Sequence, residues 1–163
     1  MERPTTTILV ERRKARGGFT LLEVTLVVAI VGVMALMAAP RFNNSLCRAR
    51  ARQAAMRMVA DLSLAQARAS ALSASQTFIF TKDPATYEID GMMDPDNTAK
   101  QYLVDLSGHP YQVRFDAVDF GGVSELVYNG FGYPSAGGTI VIEAGSVKVT
   151  VAVDADTGAA SFK

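Results

Sequence analysis

From Phe19 to Ala39 the chain runs for 21 residues with one charged side chain, Glu23. As a helix at about 1.5 Å per residue, this stretch is roughly 31 Å long, close to the hydrocarbon thickness of a bilayer. A carboxylate inside such a segment is costly unless a partner answers it. That makes Glu23 a functional position by default. Arg12, Arg13, Lys14 and Arg16 precede the run and mark the end that stays in the cytoplasm.

A cleaved secretory signal predicts a shorter apolar stretch followed by a small-x-small cleavage site. This run is longer, and its end, Met37-Ala38-Ala39-Pro40, matches such a site poorly. A plain membrane anchor explains the length and the orientation but neither Glu23 nor the Gly17-Gly18 pair. Two glycines at the boundary suit a protease that threads backbone into a tight cleft beside the membrane. Cutting after Gly18 gives Phe19 a free α-amino group, with an ordinary pKa of about 7.7–8.0 and hence largely cationic at neutral pH. The amine of one subunit and Glu23 of its neighbour would neutralise each other in lipid and set the axial register between helices.

The stretch Gly18-Phe19-Thr20-Leu21-Leu22-Glu23-Val24, with Gly32 in mid-run and Pro40 at its end, resembles the class III signal of type IV pilins and type II secretion pseudopilins. The resemblance implies that prepilin peptidase cuts after Gly18 and methylates Phe19, and that Glu23 is the assembly carboxylate. It further implies a single-pass protein of the bacterial inner membrane, with a cytoplasmic N-terminus and a periplasmic globular domain. Its partners would be other pilins or pseudopilins in a filament, the assembly platform and membrane lipid. Glycine and proline both weaken a helix, so Gly32 and Pro40 are expected to bound a stretch that melts and extends as the filament forms.

From Arg41 to about Ser75 the sequence has no glycine or proline and reads as a continuing helix. From Phe19 onward that rod would measure roughly 85 Å. Ala51, Ala55, Met58, Leu62, Ala65, Ala69 and Leu72 recur at spacings of three and four, an apolar stripe expected to pack on the C-terminal domain. Arg50, Arg57, Asp61 and Arg68 are expected on another face. Cys47 reads as a small packing residue, and as the sole cysteine it permits no internal disulfide.

Beyond Ser75 the apolar period changes from 3.6 to 2. Strands are expected at 77–81, 86–90, 101–106, 111–120, 125–129, 139–143, 147–153 and 159–162, separated by Gly-, Pro- and Asp-rich turns. The class is α+β, a long N-terminal helix packed on an antiparallel β-sheet domain, the pilin-like architecture. The expected segments are a leader 1–18, a membrane and filament-core helix 19–40, an amphipathic continuation 41–75 and a globular domain 76–163. The segment Asn129-Gly130-Phe131-Gly132-Tyr133-Pro134, the turn Asp156-Thr157-Gly158 and the helix stretch Asp61 to Ala71 resemble the H-type minor pseudopilins (the GspH/FimT family).

Charge is segregated. Residues 41–75 hold six arginines and one acid, while residues 76–163 hold twelve acids and five cations. The acidic domain disfavours nucleic acid, whose affinity rests on neutralising phosphates; pairing of the helix arginines with acidic domains of neighbouring subunits fits the segregation. No catalytic constellation emerges, so no enzymatic activity and no cofactor are expected. His109 reads as a turn residue in Gly-His-Pro. Asp90, Asp94, Asp96 and Asn97 form a loop whose spacing matches no EF-hand, and Asp154 and Asp156 flank a hairpin turn. The sequence thus predicts a non-enzymatic minor pseudopilin of a type II secretion pseudopilus. The alternatives are a minor pilin of a type IV pilus and a membrane-anchored periplasmic binding domain that does not polymerise.

Overall fold

The computed structural model describes residues 18–163, with the side chains of residues 36–42 outside that description. The expected leader therefore lies, but for Gly18, outside the described residues. Chain contacts divide the protein at Ala39/Pro40 into two compact units. One helix, α1, runs Leu21–Leu72. Eight strands follow, β1 (Gln76–Thr81), β2 (Thr86–Met93), β3 (Gln101–Asp105), β4 (Arg114–Asp119), β5 (Glu125–Tyr128), β6 (Gly138–Ala144), β7 (Val147–Val153) and β8 (Ala160–Phe162).

All eight expected strands are present, and the α+β class holds. Their arrangement is two four-stranded antiparallel sheets, ordered β3-β2-β1-β5 and β4-β6-β7-β8. The chain enters the second sheet with β4, returns to the first with β5, then completes the second. The β6–β7 hairpin closes on Gly145-Ser146 with Ala144 opposite Val147. Gly145 takes φ of 57° there, as the first position of a two-residue hairpin turn demands.

The expected helix stripe is buried at Ala51, Ala55, Met58, Leu62, Ala65 and Ala69, joined by Cys47 and Ala54. Five of these eight are alanines, so the helix backbone can approach the strands closely. From the sheet side come Phe78, Phe80, Tyr87, Leu126, Tyr128, Ile140, Ile142 and Val151, buried on the inward positions of their alternating strands. Phe80 joins the two sheets. Its ring stacks on Phe120 with centroids 5.6 Å apart and meets Phe115 edge-on at 6.2 Å. Such aromatic pairs contribute about 0.5–1.5 kcal/mol beyond their burial.

Three expectations need correction. The helix stops at Leu72 rather than Ser75, because Ser73 turns left-handed (φ 50°) and Ser73 N and Ala74 N donate back to Ser70 O and Ala69 O. This is a Schellman ending with serine in place of the usual glycine, so the sequence carried no stop signal. Leu72, at that end, is largely exposed instead of completing the stripe. The fourth strand begins at Arg114, not Tyr111: Gln112 takes φ of 52° and donates its N–H to Gly108 O, which keeps 111–113 out of the strand.

Candidate functional site

The expected processing and assembly residues sit at the start of α1. Gly18, Phe19 and Thr20 precede the helix in non-helical chain, so the Gly18–Phe19 peptide bond has no helical hydrogen bonds to lose before entering a protease. Nothing lies within 4 Å of the place a Cβ would occupy on Gly18, and Phe19 is 80% exposed. Thr20 caps the helix, its Oγ1 accepting from Glu23 N at 3.2 Å while its carbonyl accepts from Val24 N at 3.2 Å. Thr20 and Glu23 thus have capping-box spacing, and Glu23 lies in the first turn, where the helix dipole favours an anion. That Thr-x-x-Glu signature stood in the sequence and passed unread. The cap accounts for an acid in the first turn, but it gives Glu23 no cationic partner.

All described side chains from 18 to 35 are exposed, including Leu21, Leu22, Leu26, Val28, Val31 and Met34 on every side of the helix. A helix apolar all round needs lipid or other helices about it. Thr25 Oγ1 donates to Leu22 O at 2.8 Å, which satisfies that hydroxyl without a partner chain. A Cβ on Gly32 would meet nothing within 4 Å, so no contact among the described residues requires glycine there. Pro40 lies within the bounds of α1, its side chain outside the described residues. Among the described residues, no helix is long and apolar enough to cross a membrane; the expected span extends past them to include residues 36–40.

The segments carrying the finer resemblance converge on one side chain, Gln66. Its Nε2 donates to Gly132 O at 2.9 Å and to Thr157 O at 2.7 Å, tying the 129–134 loop and the 156–158 turn to the helix. Space explains the glycines. A Cβ on Gly132 would lie 2.5 Å from Ser70 Oγ, on Gly130 2.7 Å from the Ser73 carbonyl carbon, and on Gly158 2.9 Å from Gln66 Nε2. Tyr128 Oη donates to Gly158 O at 3.1 Å, and burial pushes its pKa up to about 12. Within the loop, Asn129 Oδ1 accepts from Phe131 N at 2.9 Å and Tyr133 N at 3.0 Å. The backbone is therefore fixed while Phe131 (84%) and Tyr133 (56%) stay exposed.

Asp61 departs from expectation. It is buried rather than on an exposed charged face, because it accepts from Tyr87 Oη at 2.6 Å and Arg57 Nε at 2.9 Å. Arg57 Nη2 also donates to Tyr102 Oη at 2.5 Å, so the helix is bonded to both β2 and β3. Burial, then the Asp61 charge and hydrogen bond, drive the Tyr87 pKa well above its ordinary value. Desolvation opposes the Arg57 cation, but Asp61 outweighs it and raises that pKa. Only Asp61's spacing from Arg57 was legible; the tyrosines that bury it lie in distant strands. The cluster orients the helix on the first sheet.

Cys47 is buried, with its Sγ 3.0 Å from where a Cβ on Gly145 would stand, as a packing residue should be. His109 lies at the turn before Gln112, exposed. Asp94 Oδ1 accepts from Asp96 N at 2.8 Å, and no group of acids, histidines or cysteines among the described residues is placed to hold a metal. Asp154 Oδ1 accepts from Asp156 N, Thr157 N and Thr157 Oγ1, which makes it the organiser of the hairpin turn and lowers its pKa.

A long helix with an acid-bearing apolar start, on two antiparallel sheets, defines a filament-subunit fold, and comparison with known proteins agrees. Residues 13–39 match the family described as the prokaryotic N-terminal methylation motif. The chain is 34% identical to prepilin peptidase-dependent protein A of Clostridium perfringens over 119 residues, covering 64% of this chain and 81% of that protein. It is 30% identical to a fimbrial protein of Dichelobacter nodosus over 97 residues, covering 53% of this chain and 61% of that one. The type IV minor pilin FimU of Pseudomonas aeruginosa shares the fold, with a TM-score of 0.55 and 16% identity over 71% of this chain and 90% of that chain. The chain belongs to the type IV pilin-like proteins with an N-terminal methylation motif, which are non-enzymatic structural subunits. That motif marks an inner-membrane prepilin with an extracytoplasmic globular domain.

Proposed function

We propose that the mature chain begins at a methylated Phe19, after cleavage at Gly18, and enters a filament through residues 19–40. Glu23 meets the terminal amine of the subunit beside it. The single observation that carries this reading is the described part of the apolar run. It is exposed on every side, and its one carboxylate stands in the first turn of the helix with no ion pair among the described residues. Gly32 and Pro40, the helix-weakening residues of the run, mark the stretch that extends on assembly. The assembly platform and membrane lipid are the remaining partners of this segment.

Of the two filament kinds, we favour a minor pilin of a type IV pilus. The fold likeness to a type IV minor pilin supports it, as does the relation to a fimbrial protein. The type II secretion pseudopilus is the second reading, favoured by the H-type pattern whose three segments meet at Gln66. Deleting the gene separates them: loss of surface pili with normal export of folded proteins supports the first, and the reverse supports the second. Intact mass of the membrane-purified protein tests processing. The expected species lacks residues 1–18 and carries one added methyl group; a full-length species in cells that contain the peptidase overturns the reading. Glu23→Ala should reduce the chain in sheared filaments by at least about tenfold while leaving it in the membrane. Unchanged incorporation would favour a non-polymerising membrane anchor instead.

A further inference from the structure

Between Pro40 and Gln53 the chain holds four arginines, Arg41, Arg48, Arg50 and Arg52, and no acid; after Glu23 the next acid is Asp61. These cations follow the apolar run on its extracytoplasmic side, where the rule that orients a span disfavours them. Orientation therefore does not account for them. The structure places two of them on one surface. Arg48 and Arg52, both exposed, line a groove of about 470 Å³ floored by Val147, Val149 and Phe162, all half-buried. The Arg52 guanidinium lies 6.0 Å from the Phe162 ring centroid. Among the described residues, no ion pair engages Arg48 or Arg52. Lys148, also in the lining, is held by Asp116 at 2.7 Å, and Glu143, 3.9 Å from it, is held by Arg114 at 2.9 Å.

We infer that this groove receives the phosphate headgroup of an anionic phospholipid, so that the globular unit rests on the membrane surface before the chain enters a filament. The inference rests on the reading of residues 19–40 as a membrane span. Reach supports it first. Within the globular unit, α1 rises about 12 Å from Pro40 to Arg48 and about 18 Å from Pro40 to Arg52. Helix side chains lean toward the N-terminus, here the lipid side, and a long arginine stem carries its guanidinium back toward the headgroups. The field of an anionic surface extends about a Debye length, roughly 8 Å at physiological salt, and so takes in Arg52 as well. Chemistry supports it next. Guanidinium pairs bidentately with phosphate oxygens, and an apolar floor beside cations matches the boundary where headgroup meets acyl chain. A free phosphate ion has no use for that floor. An acidic protein would also answer the charge, but the place of the cations, directly after the span, favours lipid. Cleavage after Gly18, as proposed above, removes Arg12, Arg13, Lys14 and Arg16, which leaves the mature chain its membrane-proximal cations on the extracytoplasmic side alone.

A benzophenone amino acid in place of Ala49, an exposed residue beside both arginines, reports what covers this surface and leaves their charge intact. The full chain is reconstituted into vesicles of neutral phosphatidylcholine mixed with anionic phosphatidylglycerol and photolysed. Adducts at residue 49 should favour phosphatidylglycerol over its share of the vesicle by about fivefold, and the preference should fade at high salt. Adducts in proportion to composition, or chiefly with a second protein chain, overturn the inference. Inorganic phosphate added at constant ionic strength should leave the preference unchanged; its loss would assign the arginines to the free ion and overturn the lipid. Arg48→Glu, Arg52→Glu should abolish the preference, and Arg48→Lys, Arg52→Lys should keep most of it. A preference that survives charge reversal also overturns the inference. The comparison of lipids uses one chain throughout, so it decides even where the reversed variant does not fold. The span is tested separately in the same vesicles. A chain stripped off by alkaline carbonate overturns both readings, whereas one that stays embedded without lipid preference overturns the groove alone.

Discussion

The two ends of α1 share a backbone and differ in everything that surrounds it. Between Leu21 and Ala35 the side chains are mostly large and branched, point in all directions and are all exposed. Between Cys47 and Ala69 the buried positions are mostly alanine, confined to one stripe, and covered by two sheets. Helicity is common to both, so local propensity does not separate them. The difference is that the second stretch finds its apolar partners within this molecule, while the described side chains of the first stay exposed. A helix can therefore be complete as secondary structure and unfinished as tertiary structure.

Cavity formation gives the largest test of that contrast. Leu62→Ala should cost about 2–5 kcal/mol of stability in the globular unit, because Leu62 is fully buried. Leu26→Ala, at a position 60% exposed, should leave the thermal midpoint unchanged. Equal effects on melting followed by circular dichroism would mean that the first stretch packs on this chain after all. Removing the buried acid comes next. Asp61→Ala strands the Tyr87 hydroxyl and should cost about 2–3 kcal/mol. Adding Tyr87→Phe should recover part of that loss, and denaturant midpoints of the single and double variants measure the recovery. If the losses simply add, the two groups do not act together.

Gln66→Ala removes two hydrogen bonds from a half-buried amide and should cost about 1–2 kcal/mol. Its sharper readout is local: amide exchange at Gly132 and Gly158 should speed up while that of β1 stays slow. The smallest effect near neutrality is that of pH. Tyr87 and Tyr128 have folded pKa values raised above the ordinary tyrosine value, Tyr128 to about 12. Their contribution is present in full below about pH 10 and is lost as pH rises through the folded values. At the acid end, Asp105, Asp116 and Asp154 have lowered values, so their small, solvent-screened contribution holds above about pH 4 and fades below it. Stability should be flat from about pH 5 to 9, and the tyrosinate absorbance of Tyr87 and Tyr128 should appear together with unfolding; early ionisation of Tyr128 would contradict its burial.

Much of the fold was legible because its signals are local. Alternation along Thr77 to Thr81 and Val147 to Val153 places strands, and Gly145 places a hairpin between β6 and β7. The helix end was not legible, because Ser73 adopts a left-handed conformation that its type does not advertise and the neighbouring Gly130 backbone leaves room for it. Asp61 was misplaced for a related reason. Helical spacing puts it with arginines, and only Tyr87, 26 residues away, turns it inward. At the candidate site the motif at Gly18, Phe19 and Glu23 stood in plain view, while the meeting of three separate motif segments at Gln66 did not.

By itself the sequence determined a long helix that must begin in an apolar setting, a change to strand periodicity after it, and an acid that demands a partner. Those are consequences of side-chain character and spacing along the chain, and they need no knowledge of neighbours. Only the tertiary structure decided that β5 returns to pair with β1, that Asp61 faces inward, and that cations gather at one end of the globular unit and exposed aromatics at the other. Each of these depends on residues far apart in sequence coming within a few ångströms, and periodicity carries no information about which distant surfaces will meet.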